Sequence, residues 1–285
     1  MPFFSIIEPN TGLHPHILRL FTYSCSVISV GSRDKTWIVL PAYNAVKTLQ
    51  ATLNSIPPEF HNRIILVDDS STDGTAQLSR DLGLVTIVHD ENLGYGGNQK
   101  TCYKAALEAG AEVVVMVHPD EQYDARVVGI MSDLIHLNNA DLILGNRIRS
   151  RREALRGGMP KWRYFLNRSS TFIENLLLGQ TIGDFHSGLR AYSRNLLMSV
   201  PYEINSNNFA FDQEMLVEAV ALNFRIADIP IPTKYEMESS SISFFDSMVY
   251  GLGGVRVLLA FALHKLKVKK DNRFISKKLD SSSNV

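Results

Sequence analysis

Three short polar clusters in this chain each follow a run of apolar residues, and each carries side chains with ready chemistry. Asp68 and Asp69 come directly after Ile64-Ile-Leu-Val67. Adjacent carboxylates at that point can accept hydrogen bonds from a base or a ribose, which is more than capping a following helix requires. Ser71, Thr72 and Asp73 already supply the caps. His118-Pro-Asp-Glu-Gln122 follows Glu112-Val-Val-Val-Met-Val117, the most hydrophobic run in the chain. A carboxylate at the end of a buried strand is costly unless a positive charge meets it. Asp120 and Gln122 put hard oxygens on one side of an extended segment, a pattern that suits magnesium or manganese together with a diphosphate. The third cluster is Pro41-Ala-Tyr-Asn44, after Trp37-Ile-Val-Leu40.

Two further segments are polar but less specific. Asn92-Leu-Gly-Tyr-Gly-Gly-Asn98 opens a helix without being a dinucleotide fingerprint. Its glycines fall at 94, 96 and 97, the last required glycine is missing, and the loop follows the third strand instead of the first. Glycines there permit close backbone approach, either to a ligand or between strand and helix. Between Arg147 and Arg168 lie Arg149, Arg151, Arg152, Arg156, Lys161 and Arg163. Arginine matches phosphate geometry and keeps its charge when partly buried; the alternative is a solvated basic face.

These clusters need elements to hold them, and the hydropathy pattern supplies a regular set. Short apolar runs at 37–40, 64–67, 84–89, 112–117 and 141–145 read as strands. Helical spacing appears over 45–55, 95–110, 161–178 and 212–222. Strands alternating with helices predict βαβ units and a mostly parallel sheet flanked by helices, in which ligands bind beyond the carboxyl ends of the strands. All the polar clusters fall at such ends. Phe209 and Phe211 alternate as strand residues do and read as core; Asp212 and Glu214 after them either cap a helix or reach the site.

The organisation read along the chain is an appendage over 1–35, one α/β domain over 36–240, and an amphipathic and basic tail over 241–285. Ser243 to Leu266 mixes aromatic and aliphatic residues with few charges, and the tail from Lys265 carries six lysines and one arginine against two aspartates. That combination reads either as an interfacial helix with an electrostatic anchor or as a last core helix, with a disordered end. No run is long and apolar enough to span a bilayer, and Leu20 to Ser32 lacks the basic region of a secretory signal. Lysine plus arginine and aspartate plus glutamate both number 29, so the basic excess of a nucleic-acid binder is absent. Cys25 and Cys102 fit neither a disulfide framework nor a zinc spacing, and a reducing, cytoplasmic setting is expected, peripheral to a membrane if the tail binds one.

Taken in order, the motifs resemble the family 2 glycosyltransferases of the GT-A fold, and within them the dolichol-phosphate mannosyltransferase and polyprenyl-phosphate sugar transferase branch. The residues carrying the resemblance are Pro41 to Asn44, Val67 to Thr75, Asn92 to Gly97, His118 to Gln122, Gly145-Asn-Arg147 and Asp184-Phe-His-Ser-Gly-Leu-Arg190. It spans roughly residues 36 to 235. The resemblance implies that Pro41, Tyr43, Asn44, Asp68 and Asp69, with Asn92 and Gly94, line a nucleotide-sugar pocket for a UDP- or GDP-linked donor. It implies that Asp120 stands in the family's metal-binding acidic motif for Mg²⁺ or Mn²⁺, with Gln122 beside it. His118 occupies the motif's first acidic position, a softer, neutral substitute. Arg147, with Arg163, matches the acceptor-phosphate side, and Asp184 the acidic residue at the reacting centre.

The activity implied is inverting transfer of the sugar to a polyprenyl or dolichyl phosphate. Two readings compete with it: transfer to a saccharide hydroxyl, in which Asp184 must act as base, and a non-catalytic nucleotide-sugar binder in which His118 marks a lost metal site. An NAD-dependent dehydrogenase is the weakest alternative, since the fingerprint is missing from the first strand–helix turn.

Overall fold

The computed structural model describes residues 33–148, 150–156, 158–232 and 244–277, with the side chains of 244–252 left aside. The appendage apart from its last three residues, Cys25, Arg149 and the end of the tail from 278 lie outside the described residues.

Seven strands form one sheet in the order β3-β2-β1-β4-β6-β5-β7. They are β1 (Thr36–Ala42), β2 (Ile64–Asp68), β3 (Val85–Val88), β4 (Val113–Met116), β5 (Leu142–Asn146), β6 (Arg190–Ser193) and β7 (Ile226–Pro230). Every pairing is parallel except those of β6, which runs against both β4 and β5. The helices are α1 (Leu49–Ser55), α2 (Thr75–Asp81), α3 (Tyr95–Glu108), α4 (Val128–His136), α5 (Arg151–Arg156), α6 (Lys161–Leu178), α7 (Arg194–Ser199), α8 (Phe211–Ala221) and α9 (Phe244–Lys265).

Alternation along the strands divides the core. Val39, Val67, Val114 and Met116 face α3, α8 and α9, where Tyr103, Met215 and Phe261 meet them. Ile38, Leu40, Leu66 and Val115 face α1 and α4 through Leu49 and Met131. Strands buried on both faces explain the unbroken apolar runs in the sequence. Each such side chain contributes about 1.5–3 kcal/mol on burial.

One detail opens the site. β1 pairs with β4 only from Thr36 to Val39, yet continues beside β2 to Ala42. The β1 residues bonded toward β4 include Val39, whose carbonyl accepts from Val117. Pro41, two residues on, therefore aims its missing N–H at the side where β4 has already turned away. The proline is tolerated within a central strand because no ladder bond is lost there. The sequence pattern ended the strand at Pro41; the structure carries it through.

Other differences from the sequence reading have equally local causes. β6 has the sequence Arg-Ala-Tyr-Ser, and its buried arginine hides it from a hydrophobicity pattern. Phe209 and Phe211 are not strand residues: Phe211 starts α8 and is buried, while Phe209 is 37% exposed and lies against the Tyr95 ring with centroids 4.6 Å apart. The described part of the tail, residues 244–277, is ordered. After α9 the chain forms a 3-10 turn, Asn272–Phe274, and buries Phe274 against Phe261 and His264 with ring centroids at 5.6 and 5.3 Å. Val257, Leu258 and Phe261 of α9 belong to the core. Cys102 is a buried free thiol.

Candidate active site

The chain runs outward from β1 to β2 and β3, then crosses back to β4 on the other side of β1. That reversal places a crevice beyond the carboxyl ends of β1 and β4. β5 runs parallel to this set, and β6 begins at the same edge because it is antiparallel, so Arg147 and Asp184 arrive at the edge that carries Asp68 and Asp120.

On the β1–β2 side the loops are held together by backbone N–H groups. The Asn44 N–H donates to Ser71 Oγ at 2.8 Å, and the Thr72 N–H donates to Asn44 Oδ1 at 3.1 Å. Asn98 Nδ2 donates to the carbonyls of Ala42 and Val67 at 3.2 and 3.0 Å, tying the two strand ends together. Asp69 accepts from Leu93 N–H at 2.9 Å, from Gly94 N–H at 3.0 Å and from His89 Nδ1 at 2.7 Å. Both its oxygens are thus spent on the following loop, with Asn92 Nδ2 donating to its backbone carbonyl at 3.2 Å. Asp68 differs. Its Oδ2 accepts from Ser71 N–H at 3.0 Å, but its Oδ1 is buried with no partner. Such an acceptor is expensive to leave unmet. Tyr43 is 57% exposed at the mouth, next to the buried Pro41.

The glycines of the Asn92–Gly97 loop serve a contact within the protein. A Cβ on Gly96 would lie 2.4 Å from the Ser206 carbonyl oxygen, and one on Gly94, at φ +83°, 2.7 Å from that of Asn207. The Gly96 N–H donates to Asn207 O at 2.8 Å, and Lys100 Nζ to Asn207 Oδ1 at 2.7 Å. The segment before α8 therefore forms one wall of the site, which the sequence did not indicate.

After β4, Asp120 is half-buried and accepts the Gln122 N–H at 3.0 Å on one oxygen. Burial pushes its pKa up, outweighing the lowering by His118 and the backbone. His118 Nε2 lies 3.0 Å from the Tyr95 hydroxyl, which donates to Asp212 Oδ2 at 2.8 Å. With the phenol proton so directed, the His118 Nε2–H donates to Tyr95, and the imidazole lone pair is on Nδ1. Burial first, and the Asp212 charge next, hold the Tyr95 phenol well above its ordinary pKa. Asp212 also accepts from Gln99 at 3.2 Å and faces the fully buried Arg190 at 3.8 Å. Of the acidic pair at the start of α8, Asp212 thus reaches the site, whereas Glu214 turns to Ser206 and Arg273.

The remaining carboxylate is paired with a guanidinium. Arg147 Nε donates to Asp184 Oδ2 at 2.7 Å and Nη2 to Oδ1 at 3.1 Å, a two-point pairing. Asn167 of α6 and the His186 N–H add donors to Oδ1 at 3.2 and 3.1 Å. Burial of Asp184 is the largest single influence and raises its pKa, but Arg147, His186 and Asn167 together hold it well below the usual carboxylate range. Arg163 stands one helical turn before Asn167, its guanidinium 5.5 Å from the Trp162 ring centroid. Behind Asp184, Glu174 accepts from Gln213 at 3.1 Å and lies 3.5 Å from His186 Nε2.

Backbone geometry marks the same edge. Asn44, Ser70 and Glu121 have φ of 51°, 63° and 59°, one in each loop that follows β1, β2 and β4. Such positions are strained for residues other than glycine.

For a divalent ion the edge supplies Asp120, the Gln122 amide and, on the imidazole, Nδ1. No group of three or more histidine, cysteine, aspartate or glutamate residues able to hold an ion occurs among the described residues. The set fits an ion that takes the rest of its shell from a diphosphate and water.

The family described as "Glycosyl transferase family 2" matches residues 37–200. The chain is 27% identical over 216 residues to a UDP-N-acetylglucosamine–dolichyl-phosphate N-acetylglucosaminyltransferase of Methanococcus voltae, covering 70% of this chain and 85% of that one. It is 26% identical over 229 residues to a polyprenol monophosphomannose synthase of Mycolicibacterium smegmatis, covering 75% and 83%. Among solved structures, glucosyl-3-phosphoglycerate synthase from Mycobacterium tuberculosis, crystallised with Mn²⁺, UDP-glucose and phosphoglyceric acid, matches with a TM-score of 0.62 at 17% identity over 80% of this chain and 79% of that one.

Proposed function

The chain belongs to glycosyl transferase family 2, and from that premise we propose that it moves a sugar from a UDP- or GDP-linked donor to a polyprenyl phosphate, with inversion and with a divalent ion. It is a glycosyltransferase of the GT-A fold.

The observation that carries the acceptor is the state of Asp184. A carboxylate held far below its ordinary pKa by Arg147 is a weak base. Taking a proton from a sugar hydroxyl would ask of Asp184 what its surroundings oppose. A phosphate monoester arrives already anionic and needs no such step. Asp184 then orients Arg147, and Arg147, with Arg163 on the adjoining helix, receives the acceptor phosphate. Relatives named for dolichyl- and polyprenyl-phosphate substrates support the same choice.

On the donor side, the unpartnered Asp68 Oδ1 accepts from a base N–H or a ribose hydroxyl, and Tyr43 offers its ring at the mouth. Asp69, Asn92 and Gly94 build the loop beside it and position it. Asp120 and Gln122 would hold a magnesium or manganese ion, with His118 able to approach only through Nδ1. Bound there, the ion would neutralise charge developing on the diphosphate leaving group.

The test uses the full chain with UDP- and GDP-sugars and a polyprenyl phosphate, with and without chelator, beside Asp120→Asn. A lipid-phosphate sugar, lost on chelation and in the variant, is expected. Product formed only on saccharide hydroxyls would overturn the acceptor assignment. Donor binding without turnover on any acceptor would make the chain a non-catalytic binder.

A further inference from the structure

The basic tail contains one arginine, and it is turned inward. Arg273 lies in the 3-10 turn Asn272–Phe274, with a side chain 19% exposed. Asp271 fixes its aim: Arg273 Nε donates to Asp271 Oδ1 at 3.1 Å and Nη2 to Oδ2 at 2.7 Å. This two-point pairing leaves Nη1 to donate to Glu214 Oε1 at 3.2 Å, on the first turn of α8. The turn is itself anchored on α9, where Phe274 is buried and the Asp271 N–H donates to His264 Nδ1 at 3.1 Å.

Glu214 passes the contact on. Its other oxygen, Oε2, accepts from the Ser206 N–H at 2.8 Å and from Ser206 Oγ at 2.7 Å. Glu214 is buried, and a carboxylate so placed is unfavourable without a countercharge. Arg273 supplies that charge. Lys100 of α3 also feels Glu214 but directs its donors to the Asn205 carbonyl and Asn207 Oδ1. Without Arg273, the Glu214 carboxylate is stabilised by taking up a proton or by turning to water, and either change weakens its hold on Ser206.

Ser206 and Asn207 meet the glycine loop backbone against backbone. The Gly96 N–H donates to the Asn207 carbonyl at 2.8 Å, and no Cβ fits at Gly94 or Gly96 beside the carbonyls of Asn207 and Ser206. Such a contact has no side chain to absorb a shift, so a displacement of Ser206 is carried to the loop. The Gly94 N–H in turn donates to Asp69 Oδ2 at 3.0 Å, next to Asp68. A continuous path of contacts thus runs from the tail to the donor side of the crevice.

We propose that Arg273 is a positioning residue for the nucleotide-sugar donor: through Glu214 it holds the wall before α8 against the glycine loop, and the donor pocket reaches its binding shape only with the 271–274 turn docked. The inference rests on the donor reading above and extends the donor site into the tail. A site held about 1 Å too loosely performs poorly even with every contacting residue present.

The experiment measures binding of UDP and of GDP, each with Mg²⁺, to the full chain by calorimetry, with donor kinetics beside it. Arg273→Met should raise the nucleotide dissociation constant about tenfold and the donor KM by a like factor, while kcat changes less than about twofold. Glu214→Gln keeps an oxygen for Ser206 but loses the pairing with Arg273, so it should weaken binding similarly, and the double variant should be no weaker than the worse single one. Lys277→Met removes the tail's ion pair with Glu203 and should leave nucleotide binding unchanged. Amide exchange in the ligand-free chain, followed by mass spectrometry, reads the path directly. The peptide holding Gly94 to Gly97 should exchange at least about threefold faster in Arg273→Met and at the wild-type rate in Lys277→Met. Should Arg273→Met fold poorly, Glu214→Gln carries the same two measurements. Unchanged affinity or unchanged loop exchange in a folded variant, additive losses in the double variant, a fall in kcat with KM unmoved, or an equal loss in Lys277→Met overturns the proposal alone. An unaltered chain that binds neither nucleotide overturns the donor reading and the proposal with it, so the two failures are told apart.

Discussion

The two ends of the site hold their carboxylates by different means. At the β1–β2 end, Asp69 is met by backbone N–H groups and a histidine, and Asp68 by one N–H alone. At the β5–β6 end, Asp184 is met by a guanidinium. Backbone donors fix a shape and leave the surroundings nearly neutral, while a buried ion pair fixes a charge. The first arrangement suits a uniform ligand such as a nucleoside, whose hydroxyls and ring nitrogens need geometry. The second keeps a cation aimed and ionised, which an anionic reactant requires.

The contrast can be strained hardest at the ion pair. Asp184→Asn leaves Arg147 without its countercharge in a buried place, which should lower stability by about 3–5 kcal/mol in urea unfolding and reduce turnover by about 100-fold or more. Its contribution has a defined acid limit: a carboxyl depressed below its ordinary value of 3.8 stabilises the fold above that pH and loses the effect as pH falls beneath it. If Asp184→Asn unfolds at the wild-type urea midpoint, the pair is not what holds this end together.

Smaller effects should separate the two neighbouring aspartates. Asp69→Asn removes part of a three-donor cradle and should cost about 1–3 kcal/mol. Asp68→Asn keeps the Ser71 bond through its amide oxygen, so the unfolding midpoint should barely move, while donor affinity measured by calorimetry falls about tenfold as one hydrogen bond is lost. Equal destabilisation by both would erase the distinction between a loop-holding and a ligand-facing carboxylate.

The gentlest probe is pH. Burial is the main cause that pushes Glu174 up to about 8 and His186 down to about 4, so the folded pair carries one proton between those values. Unfolded, with ordinary values of 4.5 and 6.5, the pair carries none above the higher one. The folded state then binds more protons, and stability must fall as pH rises from about 6.5 to about 8, by about 2 kcal/mol. Glu174→Gln should flatten that limb of the stability profile. A slope unchanged in the variant would place the titrating group elsewhere.

Much of the β1–β2 end was legible in the sequence because it is local. Asp68, Asp69 and the loop they hold lie within 25 residues or so of one another, and strand-then-polar patterning finds them. Five of the seven strands, β1 to β5, and α6 followed from periodicity, whereas β7 was not read because its Ile-Ala-Asp-Ile-Pro is short and half-buried. The β5–β6 end was less legible. Arg147 and Asp184 were both singled out, but not as partners, since 37 residues separate them and nothing local links them. Tyr95, Asp212 and Arg190 come together from three elements, and β6 was invisible because a buried arginine interrupts its apolar pattern. The polar inner face of α6 was likewise hidden: a helix reads as amphipathic whichever side faces the protein.

Asn44, Ser70 and Glu121 all adopt the left-handed backbone region. Each sits where a strand hands over to the crevice, so the fold stores a modest conformational load, on the order of 1–3 kcal/mol per position, at the rim where substrates arrive. Laboratory selection for heat resistance alone would tend to relax that rim first, by admitting glycine. The resulting enzyme would tolerate heat better and grip its donor less firmly, so thermal robustness is a poor guide to competence in this scaffold.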